Sequence, residues 1–439
     1  MIDWSIQMSK NTRLWIMLVP VIIIPIYLFF SNNFIVGSVF ISGLLILMYL
    51  LMKDEVKVSK LSLITLMLTI AFQLGKIGVL IIAIIVALEI VRIIRGKGKI
   101  IISYDIFFFF LWLFYACVQI LWVVQTPRTF GHLQSIAFGL VIIILLFKLI
   151  KTDADLEYLM NYWLYTISAS LIVAYWEIIT GNHLPSSNYP NPNVTTYATV
   201  GFANPNDYSF LLGLSFPVML FWFSKKGFYK IFSLILILSS IYIIYINSTR
   251  SVLMFVLIII ILYIYQMFRE NKFKAFLSTI SISIIILIIF RKTIVDMFFV
   301  LNSITPSDNS LSARQNLISN ALDIFEKNFL FGVGPGNVEF HMYVQGQNVH
   351  NFWIELLVNY GSIFFAVFIL FYGVSLFKLM KESKNNLKIW ILMCVMILFI
   401  PLSNTSSSIF QFFITWFVFG IAIVGKEVII SNRRNSTPY

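Results

Sequence analysis

Three side chains with useful chemistry lie where apolar, helix-forming runs of the sequence begin. Arg250 precedes a run that starts at about residue 251, Arg314 lies at the start of a second helical pattern, and His350 precedes a third. Two arginines at helix starts suit a diphosphate, because guanidinium groups and free backbone N–H groups then converge on one anion. An imidazole with an ordinary pKa accepts a proton from a hydroxyl group at neutral pH.

Each of these three residues also has a structural interpretation. A cation at a helix N-terminus opposes the helix dipole, so Arg250 needs either a bound anion or lipid phosphates to which it can extend. Arg314 also fits a solvated surface charge, and His350 also fits a structural histidine at the membrane interface. The residue types alone leave these alternatives open.

The run after His350 carries a polar stripe. Asn351, Glu355, Asn359 and Ser362 are spaced i, i+4, i+8 and i+11, which predicts one face of a helix that descends into the membrane. Polar groups at that depth are costly unless they line a cavity or bond to neighbouring helices. We consider both arrangements.

Two further segments are candidates for shaping a site. Asn204, Asn206 and Asp207 either cap and turn the chain or, with Tyr189, Asn191, Asn193 and Tyr197, offer the amides and aromatic rings that bind sugars. The segment 332–337 contains Gly334, Gly336 and Asn337 and predicts a tight turn. It is no nucleotide-binding loop, because no Lys-Ser or Lys-Thr pair follows it and no strand precedes it.

The composition predicts an all-α integral membrane protein. Of 439 residues, 59% are hydrophobic and only 11% are charged, whereas soluble domains carry about 25% charged residues. Apolar runs of roughly 17–25 residues recur, which is the length a helix needs to cross a bilayer. We predict about 14 membrane-spanning helices (12–14), the pair between 60 and 94 being the least certain. They lie at 14–30, 34–52, 60–73, 77–94, 105–124, 132–150, 157–179, 207–224, 229–247, 251–268, 274–292, 351–378, 387–403 and 407–425.

The positive charges predict the orientation of these helices. If the N-terminus is cytoplasmic, only seven of the 31 Lys and Arg residues fall outside, and the other 24 fall inside, as the positive-inside rule requires. The seven are Lys76, Arg128, Arg250, Arg291, Lys292, Arg314 and Lys327. We therefore expect a multi-pass plasma-membrane protein with both termini in the cytoplasm. The net charge of +12 comes from Lys and Arg residues that lie mostly in the predicted cytoplasmic connections, so it does not indicate nucleic-acid binding.

The predicted spans divide the chain into five parts. They are N-terminal membrane helices (1–179), an outer polar loop (180–206), core membrane helices (207–292), one large extracytoplasmic loop (293–350), and C-terminal membrane helices with a cytoplasmic tail (351–439). Within the large loop an amphipathic surface helix is predicted at about 311–328, capped by Ser310 or Ser312. Its apolar residues are Leu311, Leu317, Ile318, Ala321, Leu322 and Phe325.

No cofactor or metal site is expected. The outer segments contain no Asp-x-Asp pair, and both cysteines, Cys117 and Cys394, lie inside apolar runs. If a phosphate leaving group is stabilised on the outer side, arginine has to do it.

Four of these stretches, in this order, resemble the O-antigen ligase and polymerase superfamily. They are 204–207, 248–251, 312–314 with 331–337, and 349–355 with 360–361, all on the predicted outer side. The whole is similar to polymerases of acidic wall polysaccharides of the teichuronic acid type. The resemblance implies the helical fold of lipid-sugar (GT-C-like) glycosyltransferases. It also implies transfer of a glycan from a polyprenyl diphosphate carrier to a sugar hydroxyl, with inversion and without metal.

The resemblance further implies a role for each matched residue. His350 would activate the acceptor hydroxyl, Arg250 and Arg314 would hold the diphosphate, and Asn351 and the turn 332–337 would shape the site. Polymerases and ligases share these motifs. We interpret the protein as a polysaccharide polymerase, with an O-antigen-type ligase as the alternative and a lipid-linked oligosaccharide flippase as the second alternative. Expected partners are lipid-linked glycans, the bilayer, a flippase and a chain-length regulator.

Overall fold

The described chain is helical throughout. A computed structural model describes residues 103–184, 197–269, 309–344, 347–405 and 409–436, with a few single residues before 103, and contains no strand in those ranges. The predicted spans 14–30, 34–52 and 274–292 lie outside the described residues, as do Tyr189, Asn191 and Asn193, and only a few residues of the spans 60–73 and 77–94 are described. The predicted total of 14 helices therefore stays a prediction.

Every span predicted within the described ranges corresponds to a helix. The helices are α1 (Tyr104–Val118, extended by a 3-10 turn Gln119–Leu121), α2 (Thr126–Leu149), α3 (Asp153–Thr180), α4 (Pro205–Phe223), α5 (Phe228–Ile246), α6 (Arg250–Arg269), α7 (Asn309–Lys327), α8 (Val338–His341), α9 (Phe352–Glu382), α10 (Leu387–Leu402) and α11 (Phe413–Ser436). Six of them are long and apolar enough to cross a bilayer: Tyr104–Leu121 with its 3-10 turn, α2, α3, α5, α6 and α9. The prediction of an all-α membrane protein is confirmed at this level.

The described helices divide into two compact units. The first contains Phe138–Tyr208 with the described residues before 108 and after 411, and the second contains Phe108–Ala137 and Ser209–Gln411. In the first unit Trp163 of α3 stacks on Phe417 of α11 at 5.4 Å between ring centroids. In the second unit the core is aromatic, with Phe410 packed edge-on against Trp112 and Phe352 at 4.8 and 4.9 Å.

Contacts within the second unit join residues that the charge distribution assigned to the same side. Arg269 donates to the carbonyl of Lys384 at 2.5 Å, and both were predicted inside. Arg128 pairs with Glu339, and both were predicted outside. Both contacts support the prediction that successive helices cross the membrane in alternating directions. Which side faces the cytoplasm stays a prediction.

The helix predicted in the large loop is α7, and its apolar face packs as expected. Ala321 and Ile324 are buried in a cluster with Val333, Val338, Met342, Val349 and Val358, and Leu317, Ile318 and Phe325 pack against it. Leu322 is an exception, since 38% of its surface is exposed. The predicted cap was wrong: α7 begins at Asn309, so that Ser310 and Ser312 lie inside the helix and Arg314 falls in its second turn.

Helix α9 is broken where the sequence predicted a continuous run. Gly361 has φ 76° and ψ 174°, a conformation that no helix contains and that glycine adopts without steric cost. The polar stripe therefore does not continue along one face from Asn359 to Ser362. The break frees backbone groups on both sides of Gly361, and these groups form the contacts described next.

Candidate functional site

His350 is the last residue but one before α9 and has a strained backbone. Its φ is +52°, in the left-handed region that few non-glycine residues occupy, and its side chain is half-buried. The following residue, Asn351, caps α9 by accepting a hydrogen bond from the N–H of Ile354 at 3.1 Å. The N–H of Phe352 donates to the carbonyl of Ser403 at 3.3 Å. A capped and anchored helix start thus follows a backbone held in an uncommon conformation at His350, as is frequent at functional sites.

Arg314 lies within electrostatic range of His350. Burial lowers the pKa of His350 below its usual 6.5, and the positive charge of Arg314 lowers it further. Two of the three residues singled out from the sequence therefore lie within electrostatic range of each other, although they are separated by 36 positions in the chain. A lowered pKa keeps the imidazole neutral at neutral pH, which is the state that accepts a proton.

Arg250 is the first residue of α6 and is exposed. The turn before it is fixed on α4: the hydroxyl of Thr249 donates to the hydroxyl of Ser209 at 3.0 Å, and the amide of Asn247 donates to the same oxygen at 3.2 Å. Ser248 between them has φ +56°. Among the described residues, Arg314 influences the pKa of His350, and the part of Arg250 in holding a diphosphate stays a prediction.

The turn 332–337 is docked into the break of α9. The N–H groups of Val333 and Gly334 donate to the carbonyls of Val358 and Asn359 at 3.0 and 2.9 Å. The approach is so close that a Cβ on Gly332 would lie 2.4 Å from the carbonyl oxygen of Asn359. Glycine at 332 is therefore required both by space and by its φ of +71°. The predicted tight turn is present, and it is a buried structural joint.

Gly334 and Gly336 are required for a similar reason. Both have positive φ, and a Cβ at these positions would lie 2.2 Å from Val123 and 2.3 Å from the ring of His132. The turn therefore packs closely on the start of α2 and the segment before it.

Asn337 joins the turn to α2 by hydrogen bonds. Its side-chain amide donates to the hydroxyl of Thr129 at 2.7 Å, and its side-chain oxygen accepts from the N–H of Gln125 at 2.8 Å. Close by, the buried carboxylate of Glu339 pairs with Arg128, one of the seven predicted outer cations. Burial raises the pKa of Glu339, and the charge of Arg128 opposes that rise.

Gln119 forms a joint that the sequence did not reveal. Its side-chain amide donates to the carbonyl of Phe331 at 2.7 Å and to that of Asn359 at 2.9 Å. One buried side chain thus connects α1, the turn and α9. A glutamine inside an apolar run was the available signal, because a buried amide requires partners.

Glu355 and Asn359 line a small, partly open cavity one to two turns into α9. Its wall also includes His132, Ser135 and Gln411, together with the rings of Trp112, Phe352, Tyr360 and Phe410. His132 and Gln411 are hydrogen-bonded at 2.5 Å. Asn359 also accepts from the N–H of Val338 at 3.1 Å. Both arrangements considered for the polar stripe therefore occur, a cavity and bonds to neighbouring segments.

Asn204, Asn206 and Asp207 form the first turn of α4 and the residue before it. The side-chain oxygen of Asn204 accepts from the N–H of Asp207 at 3.1 Å, which makes Asn204 the helix cap, followed by Pro205 at the first helical position. Asn206 is half-buried and Asp207 is buried. Capping chemistry accounts for Asn204, and a sugar-binding role for the three stays a prediction.

Glu177 of α3 positions the chain before Asn204. Its fully buried carboxylate accepts hydrogen bonds from the N–H groups of Thr199 and Val200 at 2.6 and 2.9 Å. Val200 has φ +50°, which is unusual for a β-branched residue. Sequence reasoning missed Glu177, although an acidic residue inside an apolar run was a visible signal.

Metal binding is not indicated in the part of the chain that the structure describes. No group of three or more His, Cys, Asp or Glu side chains in those ranges is placed to hold a metal ion.

Two comparisons with known proteins agree with this arrangement. Residues 234–369, which include Arg250, Arg314 and His350, match the family model described as O-antigen ligase. The teichuronic acid biosynthesis protein TuaE of Bacillus subtilis (strain 168) is 26% identical over 357 residues, covering 75% of this chain and 73% of that protein. The resemblance to the O-antigen ligase and polymerase superfamily is confirmed.

Proposed function

Because residues 234–369 match the O-antigen ligase family, we propose that the protein is a membrane glycosyltransferase that polymerises a lipid-linked glycan on the outer face of the membrane. The growing chain on a polyprenyl diphosphate is the donor, and the sugar hydroxyl of a second lipid-linked repeat unit is the acceptor. The likeness to a protein of teichuronic acid biosynthesis supports a wall polysaccharide as the product.

The observation that carries this proposal is that Arg314 lies within electrostatic range of His350, at the capped start of α9. A guanidinium beside an imidazole disfavours the protonated imidazole, so that His350 is held neutral before the substrate arrives. A diphosphate bound at Arg314 would neutralise the nearby positive charge and thereby raise the pKa of His350. The histidine then becomes a stronger base when the donor is in place.

In the proposed step the acceptor oxygen attacks the anomeric carbon of the donor from the face opposite the diphosphate. The new glycosidic C–O bond forms as the bond to the phosphate oxygen breaks, and the anomeric configuration is inverted. His350 takes the hydroxyl proton, and the diphosphate leaves with the bonding electron pair. Arg314 and Arg250 stabilise the negative charge on the leaving group.

The test uses His350→Ala in purified protein in bilayers supplied with defined lipid-linked repeat units. We expect polymer formation to fall at least 100-fold, while His341→Ala, an exposed histidine of the same loop, stays within about twofold of the parent. Unchanged polymerisation by the His350→Ala variant would refute the proposal.

The same assay separates the two alternatives. Chain growth from lipid-linked repeats alone excludes a ligase, which needs a different acceptor. If the protein is a flippase, repeat units should no longer reach the outer face in the His350→Ala variant. The fraction of repeat units on that face is measured by their accessibility to added periodate or to an added lectin. The enzyme interpretation predicts that repeat units still reach that face and accumulate there.

A further inference from the structure

Three consecutive apolar residues of the large loop are exposed. Phe329, Leu330 and Phe331, which follow α7, expose 54%, 50% and 53% of their surfaces. A continuous apolar surface of this kind needs a partner, because soluble surfaces rarely leave large side chains together in water. The exposed Lys327 precedes this patch.

Hydrogen bonds fix the level of the patch relative to the membrane helices. The carbonyl of Phe331 accepts from Gln119 at 2.7 Å and from the hydroxyl of Tyr115 at 3.0 Å. The carbonyl of Phe329 accepts from the N–H of Ser362 at 2.8 Å. The patch therefore lies beside the outer end of α1 and beside the break of α9.

The lipid-facing surface of α9 places the edge of the hydrocarbon at the same level. Its exposed apolar residues run from Ile363 to Met380, which corresponds to about 26 Å at 1.5 Å per residue. The hydrocarbon core of a bilayer is about 30 Å thick. Helix α9 has 31 residues, more than a crossing requires, so that the part before Gly361 extends beyond the hydrocarbon.

The end of α1 gives the same level independently. The apolar helix Tyr104–Leu121 has 18 residues, close to one crossing, and Leu121 at its end is 84% exposed. Trp122 follows, with 41% of its surface exposed and its ring 6.3 Å from that of Phe331. The patch is thus continuous with the lipid-facing surface of two membrane helices.

We propose that Phe329, Leu330 and Phe331, with Trp122, insert into the outer edge of the bilayer and anchor the large loop to its lipid acyl chains. Aromatic residues are enriched at this depth, and Lys327 is positioned to reach the lipid phosphates. The backbone of this segment is not helical, and its polar groups need partners at this depth. Gln119, Tyr115 and Trp122 supply them by donating to the carbonyls of Phe331 and Gly332.

The anchor sets the height of His350 above the membrane. The helical segment from Phe352 to Tyr360 separates His350 from the hydrocarbon edge and is about 12 Å long. The headgroup layer is roughly 5–8 Å thick on each side. This consequence rests on the proposed function: at that height His350 meets the sugar next to the diphosphate of a lipid-linked glycan.

The test measures depth by nitroxide spin labels in single-copy nanodiscs, with Cys117→Ala and Cys394→Ala as the background. Labels are placed at Leu330→Cys, at Glu326→Cys on the exposed face of α7, and at Gln347→Cys near His350. We expect the Leu330 label to collide mainly with dissolved oxygen, and the other two labels mainly with a water-soluble nickel chelate. A second label at Phe329→Cys covers the case in which the Leu330 variant does not fold.

Two outcomes would overturn the anchor. One is full exposure of the labels at 329 and 330 to the nickel chelate, as at Glu326. The other is protection of these labels only when a second copy of the chain or a lipid-linked substrate is added, which would assign the patch to that occupant. If the label at Gln347 collided mainly with oxygen, the inferred height of His350 would be refuted, but the anchor would not. These measurements need no turnover, so that a failure of the proposed reaction leaves them unaffected.

Discussion

The N–H of Gly334 donates to the carbonyl of Asn359 at 2.9 Å, so that the large loop is hydrogen-bonded to the helix that directly follows His350 and Asn351. The carbonyl is accessible because Gly361 interrupts the helical hydrogen bonds. The glycines of the loop therefore have a defined role: they allow two backbones to approach closely enough to bond. The positions of Arg314, on α7, and His350, before α9, depend on this joint.

The first prediction concerns Gly332. Gly332→Ala places a Cβ against the backbone of Asn359 and imposes a positive φ on alanine, which together should cost about 3 kcal/mol or more. We expect a clear drop in the melting temperature measured in detergent. Gly131→Ala is the control, because a Cβ there meets nothing within 4 Å and helix α2 tolerates alanine. Equal melting temperatures for the two variants would contradict the docked turn.

The second prediction concerns the pH dependence of activity. If neutral His350 is the base, activity persists below pH 6.5 and falls only as pH drops through the lowered pKa of His350. Arg314→Gln removes one cause of that lowering, so the acid limb of the rate profile should move to higher pH, in addition to any loss of rate. An acid limb that stays in place in the Arg314→Gln variant would argue against the pairing of the two residues.

The third prediction concerns the pH dependence of stability, which should also depend on His350. His350 binds a proton less readily in the folded protein than in the unfolded chain. Its contribution to the free energy of unfolding is therefore fully present above pH 6.5 and is lost as pH falls through the lowered pKa. Comparison of the unfolding midpoints of the parent and a His350→Gln variant between pH 7.5 and pH 5 measures this. The parent should lose more stability than the variant over that interval, and the opposite order would contradict a lowered pKa.

The fourth prediction concerns Arg128 and Glu339. Arg128→Gln leaves the buried carboxylate of Glu339 without its cation, and this should cost about 1–3 kcal/mol, since Arg128 is itself partly exposed. The pKa of Glu339 is already raised, and it rises further without Arg128. Because a raised carboxyl pKa removes stability as pH increases, the defect should be larger at pH 8 than at pH 5. Glu339→Gln in the same background should recover part of the loss.

The fifth prediction concerns Glu177. Its carboxylate accepts from two consecutive N–H groups, so Glu177→Gln turns one acceptor into a donor facing other donors, and a loss of about 1–3 kcal/mol is expected. Limited proteolysis measures the effect, with faster cleavage expected between 181 and 204. Glu326→Gln, a change of an exposed residue on α7, is the control and should be cut at the parent rate.

Local pattern predicted most of the described helices and the apolar face of α7. Ala321 and Phe325 pack where their spacing placed them, because burying an amphipathic face is decided within a few turns of one helix. The motifs also predicted that Arg314 and His350 belong to one site, which stays a prediction, although the charge of Arg314 does act on the pKa of His350. Leu322 did not follow the pattern, since the cluster covers only part of that face.

Long-range contacts account for what the sequence did not predict. Gly361 lies in an apolar run that a single glycine rarely interrupts, and its break depends on hydrogen bonds to Phe329 and Val333, some 30 residues away. Gln119 is likewise explained only by carbonyls more than 200 positions further along the chain. Periodicity within one segment carries no information about such partners.

The break at Gly361 also has a consequence for the order of assembly. The turn at 332–337 is synthesised before α9, yet the carbonyls of Val358 and Asn359 to which it bonds exist only once α9 has emerged and bent. In the predicted orientation, the loop is therefore translocated before the helix to which it bonds has been inserted. We therefore expect the hydrogen bonds between the turn and α9 to form late, once the chain has bent at Gly361.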